Sequence, residues 1–173
     1  MLPVGFALRH ATESDLPAIV AIYNATIPSR QVTADLDPVS VESRLPWFRA
    51  HHPQTRPLWV VVDNEGDEVC AWLSFNSFYG RPAYHATAEV SIYVAESHRR
   101  RGVGHALLKV AIKCAPACGI ETLLGFVFAH NYPSLALFGA CEFVPWGHLP
   151  RVAVLDGIRR DLIILGRRMI VSP

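Results

Sequence analysis

The sequence predicts a mixed α/β (α+β) fold in which helices flank a mixed β-sheet, and two local patterns carry this prediction. An alternating apolar run at 88–94 predicts a strand, and apolar side chains recur at helical spacing through 103–114, so a strand leads through a glycine-containing turn into a helix. Two further apolar runs, at 58–63 and 69–75, flank the turn sequence Asn64-Glu65-Gly66-Asp67, which is typical of a β-hairpin. The predicted order β-α-α-β-β-β-α-β-α-β-β is that of a sheet covered by helices.

Local patterns predict the other elements, each from its apolar spacing or its caps. The N-terminal half begins with a strand at 6–9. A helix capped by Thr12 or Ser14 follows, and its apolar face carries Leu16, Ile19, Val20 and Tyr23. A second helix around Val41, Leu45 and Phe48 is predicted to be interrupted or kinked near Pro46 and to end before Pro53. In the C-terminal half the predicted elements are a strand at 122–128, a short helix at 133–139 with Asn131 near its cap, and a hairpin-like pair of strands at 143–149 and 160–165.

Composition predicts one globular domain that spans residues 1–173. Apolar residues make up 51% of the chain and charged residues 18%, which permits a sizeable core and argues against disorder. The formal net charge of +1 gives no general attraction to nucleic acid or to an acidic membrane. Because the sequence has no run of about 18 consecutive apolar residues, we expect no membrane span.

Cysteine usage and the first residues predict a cytoplasmic protein. None of the four cysteines forms a Cys-x-x-Cys pair, and we expect all four to be reduced core or boundary residues. The N-terminus lacks the basic segment and the long apolar stretch of an export signal. The eight histidines are scattered without metal-ligand spacing, so we expect no metal.

The turn that follows the strand at 88–94 is the most informative segment of the chain. It reads Arg99-Arg100-Arg101-Gly102-Val103-Gly104 and opens directly into a helix. The first N–H groups of a helix and the positive end of its dipole favour an anion, most often a phosphate, and glycines let that anion approach the main chain. The segment lacks both the Lys-Ser or Lys-Thr of a Walker A loop and the third glycine of a dinucleotide fingerprint. The alternative is a basic surface turn that caps an ordinary helix.

The pattern Arg-x-x-Gly-x-Gly at 99–104 resembles the pyrophosphate loop of the GNAT acetyltransferase superfamily. Three further stretches, at 77–84, 87–94 and 131–134 with Leu137 and Phe138, are similar to the phosphinothricin and methionine-sulfone acetyltransferase branch of that superfamily. The resemblance covers nearly the whole chain. It implies the GNAT fold, with a mostly antiparallel sheet of six or seven strands and about four helices. It also implies acetyl-CoA as the co-substrate, N-acetylation of small amino acids or their analogues, and a homodimer.

The resemblance further implies which residues hold coenzyme A. The segment at 92–94 would pair its main chain with the pantetheine arm, the loop at 99–105 would hold the pyrophosphate, and an Asn-x-Pro-Ser element would lie beside the cofactor. The implied cofactor-binding residues are Ile92, Tyr93, Val94, Arg99, Arg100, Arg101, Gly102, Val103, Gly104, His105, Asn131 and Ser134. Asn131 has a second interpretation as a helix N-cap, and both can hold together.

Glu89 is the predicted catalytic residue. Period-two alternation puts Glu89 with Ser91 and Tyr93 on one face of a strand whose other face is apolar. Burying a carboxylate there costs free energy, so it is expected only where the carboxylate has a partner or a function. Desolvation raises its pKa, which suits a general base near neutral pH. The resemblance implies the same role, with a main-chain amide near 90–92 polarising the thioester carbonyl. The alternative is a strand-edge glutamate that faces solvent or pairs with an arginine.

The loop before this strand is the predicted substrate site. By resemblance, Phe78, Tyr79, Arg81 and Ser91 would contact the substrate, and Arg81 could hold an α-carboxylate with two parallel hydrogen bonds. The alternative is a surface loop with a solvated arginine. Residues 29–37 are a polar connection that could cover the site.

Phe138 departs from the superfamily pattern. Many relatives have a tyrosine there, and some relatives in this branch a histidine, that can protonate the leaving thiolate, and phenylalanine cannot. Tyr132, Cys141 or a water are the candidate substitutes, and a thiol pKa near 8.5 also makes unassisted departure tolerable.

The sequence therefore predicts a cytoplasmic N-acetyltransferase that acetylates the primary amine of a small amino acid or analogue by direct attack. Phosphinothricin, methionine sulfone and methionine sulfoximine are the candidate analogues. A protein N-terminus or a polyamine is the alternative acceptor. A non-catalytic acyl-CoA-binding module is the alternative outside enzymes.

Overall fold

Seven strands form one mixed sheet in the computed structural model, which describes residues 2–65 and 67–169. In chain order the strands are β1 (Phe6–His10), β2 (Leu58–Asp63), β3 (Glu68–Ser77), β4 (Thr87–Val94), β5 (Thr122–Phe128), β6 (Val144–Leu155) and β7 (Ile158–Arg168). Their order across the sheet is β1-β2-β3-β4-β5-β7-β6. Neighbouring strands are antiparallel except for the pair β4 and β5, which is parallel. The predicted mixed, mostly antiparallel sheet is confirmed.

Four α-helices cover the sheet in the described part of the chain, as predicted. They are α1 (Leu16–Asn24), α2 (Val41–Arg49), α3 (Val103–Cys114) and α4 (Tyr132–Ala140). A capping box of Thr12 and Asp15 begins a short 3-10 turn that leads into α1, and the Ser40 hydroxyl caps α2 by accepting from the Ser43 N–H at 3.1 Å.

The prediction of an interruption near Pro46 is wrong, because α2 runs continuously through this residue and ends at Arg49. Proline removes one helical hydrogen bond, and tertiary contacts offset that loss. Leu45, Trp47 and Phe48 pack on the cluster of buried side chains that α1 forms with the sheet.

Each face of the sheet carries its own apolar cluster. On one face, Leu107 and Leu108 of α3 pack on fully buried sheet residues such as Leu73 and Leu123. On the other face, Ile19 of α1 packs with Val60 and Trp72, and α2 covers them. The alternation of strand side chains between the two faces explains why neighbours such as Trp72 and Leu73 belong to different clusters.

The C-terminal hairpin is longer than predicted. The sequence predicts strands at 143–149 and 160–165, whereas β6 extends to Leu155 and β7 begins at Ile158. The register shifts between Leu149 and Ala153, where Arg151 has a positive φ of 57°. This irregularity lets the strand continue past Pro150, at which the apolar pattern stops. In the other predicted hairpin, between β2 and β3, the turn residue Gly66 lies outside the described residues.

Strands β4 and β5 pair over three residues and then separate. The ladder joins Thr87–Glu89 to Thr122–Leu124. Beyond it, β5 continues to pair with β7, whereas the β5-facing edge of β4 has no strand partner after Glu89. The separation opens a cleft between the two strands, and Glu89 lies at its apex.

Candidate active site

The cleft between the separated strands is a cavity of about 500 Å³. Its walls come from four parts of the chain, which are residues 89–93 of β4, residues 126–128 of β5, side chains of the β5–α4 segment and of α4, and residues 32–34 of the α1–α2 connection. Tyr23 of α1, Val152 and Ala153 of β6 and Leu162 of β7 complete the lining. We call this cavity the donor cleft. Part of the connection predicted as a possible cover, residues 29–37, therefore lies over it.

Main-chain groups of β4 face the donor cleft. The Ala86 carbonyl accepts hydrogen bonds from the N–H groups of Glu121 and Thr122, so the main chain of Ala86 faces β5. Main-chain N–H and carbonyl groups alternate between the two edges of a strand, so those of Val90 and Ile92 also face the β5 side. Because β5 has separated there, their N–H and carbonyl groups are free to bind a ligand that lies along β4.

The loop before α3 turns through two left-handed residues, Arg100 with φ 61° and Gly102 with φ 80°. The helix begins immediately afterwards, at Val103. A Cβ added to Gly104 would lie 3.5 Å from Val94 Cγ2 and 3.7 Å from Leu137 Cδ2, which are ordinary contacts. The protein itself therefore does not require glycine at position 104, and close approach of a ligand to the main chain is a reason for it.

The three arginines of the loop are exposed, and Arg101 anchors the loop to the neighbouring strands. Arg101 lies 3.4 Å from the carboxylate of Asp63 and its guanidinium stacks 4.6 Å above the ring of Phe6. His98 Nε2 contacts the same carboxylate at 3.0 Å. Hydrogen bonds from the Glu65 N–H and from His98 lower the pKa of Asp63. No sequence pattern marks this anchor, which fixes the loop to β1 and β2.

Asn131 joins the end of β5 to the cover of the donor cleft. Its side-chain oxygen accepts from the Ser134 N–H at 3.2 Å, so it is the N-cap of α4. Its Nδ2 donates to the Gln31 carbonyl at 3.0 Å, and His130 Nε2 contacts the Arg30 carbonyl at 2.8 Å. Asn131 and Ser134 both line the cleft.

Glu89 lines the donor cleft and also a second cavity on the other side of β4, of about 270 Å³. Burial raises the pKa of Glu89 above its ordinary value, and a hydrogen bond from the Ser91 hydroxyl, 3.4 Å away, opposes that rise. Among the described residues no arginine, lysine or histidine lies within ion-pair distance of Glu89. The geometry therefore gives this carboxylate access to both cavities without a cationic partner.

The second cavity, which we call the amine pocket, has aromatic walls. Trp72 stacks on Tyr93 with ring centroids 4.3 Å apart, and Trp47 meets Trp72 edge-on at 5.6 Å. Tyr23 and Arg44 complete this part of the lining. Arg44, Trp47 and Trp72 are not among the residues predicted for the site, and Tyr23 is predicted only for the apolar face of a helix. The four positions come from α1, α2 and β3, so no local motif marks them.

The predicted substrate residues separate into two groups. Ser91 lines both cavities. Phe78, Tyr79 and Arg81 line neither cavity, and the two aromatic rings pack instead on each other at 4.3 Å. In this chain the structure does not bring these three side chains to Glu89.

Phe138 is a buried wall of the donor cleft. It is 3% exposed and meets Phe143 edge-on with ring centroids 4.9 Å apart. A Cβ added to Gly125 would lie 2.6 Å from its ring, so Gly125 leaves the space that Phe138 fills. Of the predicted substitute acids, Tyr132 is 73% exposed and Cys141 is buried, and neither lines the cleft.

The described residues contain no group of three or more histidine, cysteine, aspartate or glutamate side chains arranged to hold a metal ion. Nor does any of their helices have the length and apolar character needed to cross a membrane.

Comparison with known proteins gives consistent similarities. The sequence profile of the Acetyltransferase (GNAT) family matches residues 18–143. The chain is 54% identical to YwnH of Bacillus subtilis (strain 168), a provisionally named phosphinothricin acetyltransferase, over 94% of this chain and 98% of the relative. It is 30% identical to the L-methionine sulfoximine/L-methionine sulfone acetyltransferase of Pseudomonas aeruginosa (strain PAO1), over 92% of each chain.

A solved structure shows the same likeness in three dimensions. The phosphinothricin acetyltransferase (Pat) of Sinorhizobium meliloti, solved in complex with acetyl-CoA, superimposes with a TM-score of 0.90 and 25% identity. The match covers 98% of this chain and 94% of that one. The sheet order, the glycine loop and these similarities agree, and the chain is a member of the GNAT acetyltransferase family.

Proposed function

We propose that this protein transfers the acetyl group of acetyl-CoA to the primary amine of a small amino acid or analogue such as phosphinothricin, methionine sulfone or methionine sulfoximine. The observation that carries the proposal is the position of Glu89, which lines both the donor cleft and the amine pocket. The names of the relatives support the choice of substrate class. Residues 1–173 would form one catalytic domain.

The donor cleft fits the chemistry of acetyl-CoA. The pantetheine arm carries amides that can pair with the main-chain edge of β4 at 92–94, beside Asn131 and Ser134. On this edge the Val94 carbonyl already accepts a long hydrogen bond from Arg99 Nε at 3.4 Å. The pyrophosphate would bind the helix N-terminus at Gly102, Val103, Gly104 and His105, where N–H groups and the helix dipole favour an anion. Arg99 and Arg100 would add positive charge, and Arg101 would hold the loop in place through Asp63.

Glu89 would act as the general base. An amine substrate arrives mostly protonated and cannot attack until it loses a proton, which Glu89 takes directly or through a water. The freed nitrogen pair then forms the bond to the acetyl carbonyl carbon, and the carbon–sulfur bond breaks to release the thiolate. The second proton that the nitrogen must lose to become an amide goes to water or to the departing thiolate. N–H groups of β4 at Val90 or Ile92, which face the cleft, would stabilise the negative charge that develops on the carbonyl oxygen.

The thiolate would leave without a dedicated protein acid. Phe138 cannot donate a proton, and Tyr132 and Cys141 lie outside the cleft lining. Burial also raises the pKa of the Cys141 thiol, which makes it a poorer acid. Because a free thiol has a pKa near 8.5, departure as the thiolate is energetically accessible near neutral pH.

The protein would work as a homodimer. Strand β6 is at the edge of the sheet, and its side chains expose an apolar surface that includes Val144, Trp146, Leu149, Val152 and Val154. Exposed apolar edge strands favour pairing with another chain, and a second copy of this strand would cover them. Light scattering coupled to size exclusion tests this, and Val154→Glu should shift the protein to a monomer.

The cytoplasm is the proposed location. Cys70, Cys114, Cys118 and Cys141 are all free thiols, as expected in a reducing compartment.

A thiol-release assay with acetyl-CoA tests the function. The acceptors are the amino acids, methionine sulfone, methionine sulfoximine and phosphinothricin, with a polyamine and an N-terminal peptide for comparison. Turnover is expected with at least one of the first group. Acetyl-CoA binding by calorimetry without turnover for any acceptor would instead favour a binding module, and preferential turnover of the peptide or the polyamine would change the substrate class.

A further inference from the structure

Arg44 of α2 is the cationic side chain of the amine pocket, and Glu89 is its anionic one, among the described residues that line it. An acceptor that places its amine near Glu89 therefore has a positive group available for a second, negatively charged group. The remaining walls are aromatic or aliphatic, with small polar contributions from Ser74, Asn76 and Ser91.

The guanidinium of Arg44 is held in place by its surroundings. Nη2 donates to Asp35 Oδ2 at 3.0 Å, and the guanidinium carbon lies 4.8 Å from the ring centroid of Tyr23. The Tyr23 hydroxyl in turn donates to Asp35. Because the guanidinium is already held by the Asp35 carboxylate and by the Tyr23 ring, it loses little further conformational freedom when it binds a ligand.

The same guanidinium keeps donors for a ligand. In the described part of the chain the structure gives Arg44 a hydrogen bond from Nη2 alone, so Nε–H and the Nη1 hydrogens are left for another acceptor. The side chain is 28% exposed, which leaves it accessible from the pocket. A carboxylate matches this planar set of donors with two parallel hydrogen bonds.

The walls around Arg44 are fixed as well. The indole N–H of Trp72 donates to the Ile19 carbonyl at 3.1 Å, and that of Trp47 donates to Asn76 Oδ1 at 3.1 Å. Both indoles therefore have their polar atoms satisfied by the protein and offer apolar ring faces to the substrate side chain.

We propose that Arg44 binds the carboxylate of the acceptor and thereby restricts the enzyme to zwitterionic amines, with Asp35 and Tyr23 as its positioning residues. This inference rests on the proposed acetyl transfer to amino acids and names the group that recognises them. It assigns to α2 the role that the sequence suggests for Arg81, which lines neither cavity.

Paired substrates test the proposal. Methionine sulfone is compared with the same amine without its carboxylate, 3-(methylsulfonyl)propylamine, in the wild type and in Arg44→Gln. Loss of charged hydrogen bonds should lower kcat/KM for methionine sulfone by about 10- to 100-fold. For the carboxylate-free amine we expect a change of less than about 3-fold, so the selectivity of the enzyme disappears. Arg44→Lys should have a kcat/KM for methionine sulfone between those of the wild type and Arg44→Gln, because an ammonium keeps the charge but lacks the planar pair of donors.

Arg49→Gln is the matched control. Arg49 lies on the same helix and is ion-paired with Glu13 at 3.2 Å, but it does not line the amine pocket. This variant should keep the wild-type selectivity. Equal losses for both amines in Arg44→Gln would show a merely structural role and overturn the proposal. Loss of selectivity in Arg81→Gln, with Arg44→Gln unaffected, would also overturn it.

A binding measurement separates this inference from the proposed function. Trp47 and Trp72 line the pocket, so tryptophan fluorescence should report methionine sulfone binding without turnover. If the wild type binds methionine sulfone but transfers no acetyl group, the proposed function fails. Weaker binding by Arg44→Gln would then still support the role of Arg44, and unchanged binding would overturn it.

Discussion

The donor cleft and the amine pocket meet at Glu89, but they are built from different materials. The donor cleft has side chains from several elements in its walls, but the main-chain groups proposed to bind the donor lie within one continuous segment, from the free edge of β4 to the N-terminus of α3. The amine pocket depends on side chains from α1, α2, β3 and β4. A site made of contiguous main chain leaves a motif in the sequence, whereas a site made of dispersed side chains does not.

Glu89→Gln should have the largest effect, because it changes the carboxylate that both cavities share. Loss of a general base lowers kcat by about 100- to 10,000-fold, while the amide keeps the shape of the side chain. Binding of acetyl-CoA, measured by calorimetry, should stay within about 3-fold of the wild type.

The pH profile of the wild type supplies the second half of that test. Glu89 accepts a proton only when it is ionised, and burial raises its pKa. The kcat/KM value should therefore fall as the pH drops through a pKa above the ordinary glutamate range. A rate for Glu89→Gln equal to that of the wild type across about pH 6 to 9 would remove Glu89 from the role of base.

Gly104→Ala should damage the donor side alone. The added Cβ meets its protein neighbours at 3.5 Å and 3.7 Å, so the fold accommodates it. Alanine in a helix is also more favourable than glycine by about 0.5 to 1 kcal/mol, so the melting temperature should stay constant or rise. The methyl group would stand where the pyrophosphate approaches the main chain. We expect an increase of about 10-fold or more in the Kd of acetyl-CoA, or about 1.4 kcal/mol.

The result for Gly104→Ala distinguishes a ligand requirement from a structural one. A large loss of thermal stability with unchanged acetyl-CoA affinity would mean that the protein, and no ligand, needs glycine at this position. The KM for the amine at saturating acetyl-CoA should not change.

The contrast between the two sites also explains what the sequence predicts and what it misses. Alternation from Ala88 to Val94 and the glycines after it are local, so the strand, the turn, the helix and the placement of Glu89 follow from them. The separation of β4 from β5 after Glu89 depends on where β4 stops pairing with a strand that begins at Thr122. The spacing of apolar residues along the chain does not encode where that pairing stops.

The amine pocket is missed for a physical reason. Tyr23 and Trp72 have the pattern of core residues, and both do pack in the cluster beneath α1 and α2. Their side chains become part of a pocket wall only because α2 brings Arg44 and Trp47 beside them. In contrast, Phe78 and Tyr79 have the composition of a binding loop, but their rings contact each other at 4.3 Å and line neither cavity. Hydrophobic pattern alone does not tell these two arrangements apart.

Asp15→Asn should weaken the scaffold of the amine side. Asp15 accepts hydrogen bonds from Arg9 and from the Thr12 N–H at the 3-10 turn before α1, and the hydrogen bond from Arg9 is the main cause of its low pKa of about 2. A pKa below the usual value means that Asp15 stabilises the fold above about pH 4 and loses that contribution as the pH falls towards 2. The substitution should cost about 1 to 2 kcal/mol at pH 7, after allowance for the exposed Arg9.

Urea unfolding at two pH values measures this contribution. The difference between wild type and Asp15→Asn should shrink by about half between pH 7 and pH 3. Since α1 carries Ile19, Val20 and Tyr23 of the amine pocket, the amine KM should rise more than the acetyl-CoA Kd. A difference in stability that does not depend on pH would mean that the carboxylate charge has no part in it.

Ser91→Ala should have the smallest effect and the most specific one. Its hydroxyl donates to Glu89 Oε1 over 3.4 Å, a long hydrogen bond that favours the ionised carboxylate and so lowers the pKa that burial raises. Without it the pKa of Glu89 should rise, and the acid side of the kcat/KM profile should move to higher pH. Above that limb the rate should be close to that of the wild type, because Glu89 is fully ionised in both proteins.

Ser91 lines both cavities, so a uniform loss of rate at every pH would instead assign it to substrate contact. A shift of the limb alone would mean that Ser91 acts through the carboxylate that the two sites share.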